Sequence, residues 1–194
     1  MVVVICPGVH GPDLTDQFLQ GLRADLNSSD SSLTWNPWLT VPTEDYPAYS
    51  GPDLLRFLQQ NLPQGSPITL IGFSAGVVGA TGAAWGWQQT GGPVRGFIAL
   101  DGWGVPRLGG FPYYRLSHDQ FTHWSSGVLG QGNESFYADP PVDHLQLWRS
   151  PQTIQGWAFY QNPQGVETAS PTTATKVIIR WLAQSGELSS EPDP

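Results

Sequence analysis

The apolar positions of the chain fall into short unbroken runs, separated by stretches where they recur every three or four residues. Val2–Cys6 is apolar throughout and β-branched at four of five positions, as expected of a strand covered on both faces of a parallel sheet. Similar runs occur at Ile68, Leu70 and Ile71, and again at Val94–Leu100. Weaker strand signals lie at 32–38, 111–117 and 135–142, the last interrupted by two prolines. Between them, Leu14, Phe18, Leu22 and Leu26 are spaced by four after Pro12-Asp13, and Leu54, Leu55, Leu58 and Leu62 follow Pro52-Asp53. Proline beside an acidic residue in a first turn is a helix-start signal, so the repeated letters G-P-D-L predict two helices rather than a duplication. Ser170-Pro171 is read as the cap of a closing helix in which Val177, Ile178, Trp181 and Leu182 share a face. Strands alternating with helices predict an α/β three-layer sandwich around a mainly parallel sheet.

Composition narrows the class. With 194 residues, 39% of them hydrophobic, nine Trp and eight Phe, one domain with a substantial core is expected over residues 1–186. The polar, proline-bearing segment 187–194 is expected to be a flexible tail. Net charge is −8, and Lys176 is the single lysine, so a phosphate backbone would be repelled and nucleic acid is excluded as a partner. The lone Cys6 rules out an internal disulfide and reads as a core residue. The first apolar run has no basic residues before it and stops at Pro7-Gly8, unlike a secretory leader. No stretch reaches the ~20 apolar residues of a membrane span. A soluble, cytoplasmic protein without stable membrane insertion is the expectation.

The chemistry concentrates at Gly72-Phe73-Ser74-Ala75-Gly76. An apolar strand runs into the first glycine, and a small-residue segment long enough for a helix leaves the last. That is the strand, sharp turn and helix of a G-x-S-x-G nucleophile elbow, with a serine hydroxyl raised at the corner. Gly79, Gly82 and Gly86 would thin one side of the helix and let it lie close to the sheet. The backbone N–H groups of Ala75 and of Val9, in the first loop, are the candidate oxyanion donors.

In these features the chain resembles the α/β-hydrolase superfamily in its small form, like the minimal bacterial lipases and cutinases. The elbow carries the resemblance in letters; the rest rests on element order. Pro7-Gly8-Val9 stands where the family's oxyanion loop more usually has His-Gly, and the pair His10-Gly11 follows. Two strands that precede this point in larger members have no counterpart, and there is no large cap domain unless 103–132 forms a small lid.

The resemblance implies a base and an acid following the serine in the order Ser, acid, His. His144, after the last expected strand, is the preferred base, with His118 as the alternative. Asp119 is the preferred acid and Asp101 the alternative, each ending a candidate strand. Asp143 adjoins the proposed base and is set aside. A metal site from His118, Asp119, His123 and His144 is disfavoured, because histidines five apart do not share a helix face. No metal and no cofactor is expected.

Aromatic residues crowd the region between Trp103 and Trp148, so the expected partner is a small-molecule ester or thioester with an apolar group. The leading expectation is therefore a carboxylesterase, lipase or thioesterase working through an acyl-enzyme. The alternative is a non-catalytic protein of the same fold that binds or assembles.

Overall fold

The computed structural model describes residues 1–29, 33–161 and 166–190. Its sheet begins with β1 (Val2–Cys6), β3 (Trp38–Thr40), β4 (Ile68–Phe73), β5 (Val94–Leu100), β6 (Tyr113–Ser117) and β7 (Glu134–Ala138). These pair in the order β3-β1-β4-β5-β6-β7, all parallel. Two antiparallel strands, β8 (Gln155–Gln161) and β9 (Glu167–Thr173), extend the sheet beyond β7. The result is an α/β architecture around a mixed, mostly parallel sheet.

Alternation along each central strand divides the apolar side chains between two cores. Val3 and Ile5 of β1 join Ile71, Phe73, Ile98 and Leu100 under helices α1 (Pro12–Ser29) and α6 (Ala174–Gln184). Val4 and Cys6 face the other way, with Leu70, Phe97 and Ala99, under α2 (Gly51–Asn61) and α3 (Ala75–Gln89). Both faces are dry, which is why these strands read as continuous apolar runs rather than alternating ones. Two shorter helices, α4 (Gln120–Gly127) and α5 (His144–Arg149), follow β6 and β7.

Several sequence expectations need correction. Gly79, Gly82 and Gly86 thin α3 on the side that meets α2, not the sheet. A Cβ at Gly82 would lie 3.1 Å from the Gly51 Cα, and one at Gly86 would lie 2.6 Å from Leu55 Cδ2. Ser170 and Pro171 belong to β9, and Thr173 caps the last helix by accepting from the Lys176 N–H. The expected flexible tail is anchored at its start. Glu187 is fully buried, taking hydrogen bonds from Thr69 and Asn36 at 2.8 Å each. Beyond it, β10 (Leu188–Ser190) pairs antiparallel with β2 (Leu33–Trp35). The start of the strand expected at 32–38 and the end of the tail lie outside the described residues.

The chain leaves β1 toward β3, then returns past β1 to β4 and continues outward in the opposite direction. Such a reversal opens a crevice at the carboxyl ends of the two inner strands, where parallel sheets place ligands. Ser74 stands at the end of β4, beside the loop that leaves β1. Among the described residues no helix is long and apolar enough to cross a membrane.

Candidate active site

Ser74 sits at the corner between β4 and α3 with φ 53° and ψ −123°. A non-glycine residue in that region stores about 1–3 kcal/mol, held in place by the surrounding structure. Two backbone bonds hold it: the Ser74 N–H donates to the Leu100 carbonyl at 2.9 Å, and the Val77 N–H donates to the Ser74 carbonyl at 3.0 Å. A serine at a helix amino end normally spends its hydroxyl as a cap. Ser74 makes no capping bond, so its Oγ takes no part in closing the helix end. The first turn of α3 carries no acidic side chain, leaving its N–H groups and the positive end of the helix dipole available to an anion.

The loop after β1 packs directly on this corner. A Cβ on Gly76 would lie 2.1 Å from the Cys6 carbonyl oxygen and 2.4 Å from that of Pro7. A Cβ on Gly8 would lie 3.2 Å from the Ser74 Cβ. Glycine at 76 is thus required for the loop and the helix start to meet, and at 8 a side chain would fit only tightly. The Val9 side chain is exposed, and its residue lies one step beyond the contact at Gly8. Cys6 is buried and its thiol is pushed up to about 12 by that burial, so it stays protonated.

Asp101 follows β5 and is, among the described residues, the other non-glycine residue at positive φ, 50°. Its side chain is almost wholly buried and receives three donors. Oδ1 accepts the His118 backbone N–H at 2.9 Å, while Oδ2 takes His118 Nδ1 at 2.9 Å and His144 Nδ1 at 2.7 Å. Burial acts to raise its pKa, but the hydrogen bonds from the two imidazoles prevail and hold the carboxyl below its ordinary range. An ionised carboxylate only accepts, so each Nδ1 carries a proton. In its neutral form His144 then carries its lone pair on the other nitrogen, Nε2.

The His144 ring opens α5 and is positioned by stacking. It lies on Phe73 with centroids 4.7 Å apart, Phe73 on Trp148 at 5.0 Å, and Trp148 on Phe18 at 3.8 Å. Phe73 therefore ties the imidazole to the residue just before Ser74. Ser74, Ala75, Asp101, His118 and His144 line one depression of about 410 Å³, with Val78, Trp103 and Thr122 completing its wall. Trp103 is largely exposed at this wall, and the sequence singled out neither Val78 nor Thr122.

Asp119 is placed differently. It caps α4, its Oδ1 accepting the Thr122 N–H at 2.6 Å, and Oδ2 lies 3.6 Å from His118 Nε2. His123 lies away from the depression, packed on Tyr137 and Phe159 with centroids 5.2 and 5.4 Å away. His10 lies near Phe73, at 5.7 Å between rings, and its Nδ1 is 2.9 Å from the Gly11 carbonyl oxygen. Donor atoms of Asp101, His118 and His144 fall within 4.8 Å of one another, the compactness a cation needs. Both Nδ1 lone pairs are replaced by N–H bonds to the carboxylate, however, so the set is a hydrogen-bonded hub in this arrangement rather than a chelate.

No model of a known protein family matches the chain. No curated protein is similar to it in sequence.

Proposed function

We propose that the protein is a serine hydrolase built on a minimal α/β-hydrolase fold, cleaving an ester or thioester through an acyl-enzyme. The observation that carries the reading is the 2.7 Å bond from His144 Nδ1 to the buried Asp101 carboxylate, with Ser74 on its positive-φ corner in the same depression. In this reading His144 Nε2 takes the Ser74 proton as Oγ attacks the acyl carbon, and Asp101 stabilises the imidazolium that forms. The oxyanion is met by the N–H of Ala75 and by that of Val9 in the loop packed on the corner. His144 then returns its proton to the departing alcohol or thiol. Water, deprotonated by the same imidazole, attacks the acyl-enzyme and releases the acid. The acyl or alcohol group rests against Val78 and Trp103, which favours an apolar substituent.

Asp101 is assigned the acid role in preference to Asp119, since Asp101 holds His144 and Asp119 is spent on capping α4. The test is hydrolysis of p-nitrophenyl acyl esters of two to eight carbons. Activity that disappears in Ser74→Ala, with the fold retained by circular dichroism, supports the reading. Ester turnover equal in Ser74→Ala and wild type points instead to the non-catalytic binding protein.

A further inference from the structure

One histidine in the hub has no part in the proton transfers just described. His118 gives Asp101 two of its three donors, the backbone N–H and Nδ1, and its Nδ1 shares Oδ2 with His144. Its other nitrogen, Nε2, is 3.6 Å from the Asp119 carboxylate. The groups facing it are Asp101 at the end of β5, Asp119 at the start of α4, and Asp143 and His144 at the start of α5. A ring with a carboxylate at each nitrogen is stabilised in its doubly protonated form.

Resting on the hydrolase reading, we infer that His118 is a positioning residue that, as a cation on Asp101, keeps His144 free of its proton in mildly acidic solution. Two effects act together. A carboxylate already paired with one imidazolium attracts a second proton on the neighbouring ring less strongly. The His118 and His144 ring centroids are also only 5.9 Å apart, so charging His144 beside a charged His118 places like charges close together. Hydrogen bonding to Asp101 raises the His118 pKa despite opposing burial, in keeping with a cationic ring. The consequence is a base that works at lower pH than an isolated Asp–His pair would allow.

His118→Asn retains an N–H donor near the Nδ1 position and removes the charge. The experiment follows the His144 imidazole by NMR titration in wild type and His118→Asn, alongside the pH profile of kcat/KM on a p-nitrophenyl ester. The expected result is an upward move of the His144 midpoint and of the acid limb by about one pH unit. A residue that merely supports the α4 entry would lower the rate by the same factor at every pH and leave the midpoint in place. That outcome, or a midpoint that falls, overturns the inference. Asp119→Asn, which keeps a good capping residue, provides a second variant should His118→Asn fail to fold. It weakens the partner at His118 Nε2, so the His144 midpoint should rise by a smaller amount, and no rise overturns the inference. The NMR arm does not depend on turnover. An inactive wild type whose His144 midpoint still responds would therefore refute the hydrolase reading alone.

Discussion

Two depressions lie on either side of α4, and the larger is the less interesting. One, of about 560 Å³, is lined by Arg115, His123, Trp124, Tyr137, Phe159 and their neighbours; the other, of about 410 Å³, holds Ser74, Asp101, His118 and His144. In the first, the buried Arg115 spends its donors on the Gln131 and His123 carbonyls and on Ser126 Oγ, at 2.7 to 2.8 Å. Those bonds fasten α4 and the following loop to β6. In the second, the hydroxyl of Ser74 caps nothing, and the only non-glycine residues at positive φ among those described converge. Volume does not mark a functional site. Backbone strain beside oriented polar atoms is what makes the second depression the candidate.

The largest expected effect separates the two aspartates. Asp101→Asn should lower kcat for ester hydrolysis by about 10³–10⁴-fold, because the imidazole loses its orienting carboxylate and its tautomer. Asp119→Asn should cost less than about tenfold, since asparagine caps a helix nearly as well as aspartate. Equal losses at the two positions would return Asp119 to the acid role. Arg115→Met should then break the comparison from the other side. It leaves buried carbonyls without donors and should cost about 2–4 kcal/mol in denaturant unfolding, while Ser74 in the folded fraction reacts with an acylating probe at nearly the wild-type rate.

A smaller effect concerns the strain itself. Ser74→Gly should be more stable than Ser74→Ala by about 1–2 kcal/mol in thermal unfolding, because only glycine relieves φ 53°. Equal stabilities would mean that the corner is not strained. A last effect is in the pH dependence of stability, where His123 and His118 should act with opposite sign. Burial pushes His123 down to about 4, whereas its unfolded value is about 6.5. The unfolded chain therefore binds the proton first, and stability is lost as pH falls from about 6.5 toward 4. His118, raised by Asp101, contributes stability that is fully present below about 6.5 and lost as pH rises through its folded value. Melting temperatures across pH 4 to 9 should accordingly flatten on the acid side in His123→Phe and on the alkaline side in His118→Asn.

How much of this was legible in the sequence depended on how local the determining forces are. Val2–Cys6, Val94–Leu100 and the strand before Ser74 were readable, because two dry faces demand unbroken apolar runs. The α1 and α2 starts were readable because proline, acid and spaced leucines lie within a few residues. The pair β8 and β9 was not. Its exposed edge is rich in Thr and carries Pro171, and so resembles a loop and a helix cap. Glu187 was mistaken for tail because its partners, Thr69 and Asn36, are more than a hundred residues away in sequence.

The candidate acids show the same division. Both end neighbouring strands, and nothing in their letters tells which one turns toward His144. Parallel register places Leu100 against Leu116, which carries Asp101 to the His118 backbone N–H. Asp119 caps α4 through the backbone N–H of Thr122, a bond that asks nothing of the side chain three residues on and so leaves no mark in the letters.

The most direct test is treatment of the wild-type protein with a fluorophosphonate, followed by intact mass and peptide mapping. The account predicts one adduct per chain, on Ser74, and slower labelling in His144→Ala. A protein that remains unmodified, or that carries its adduct on another side chain, would contradict it.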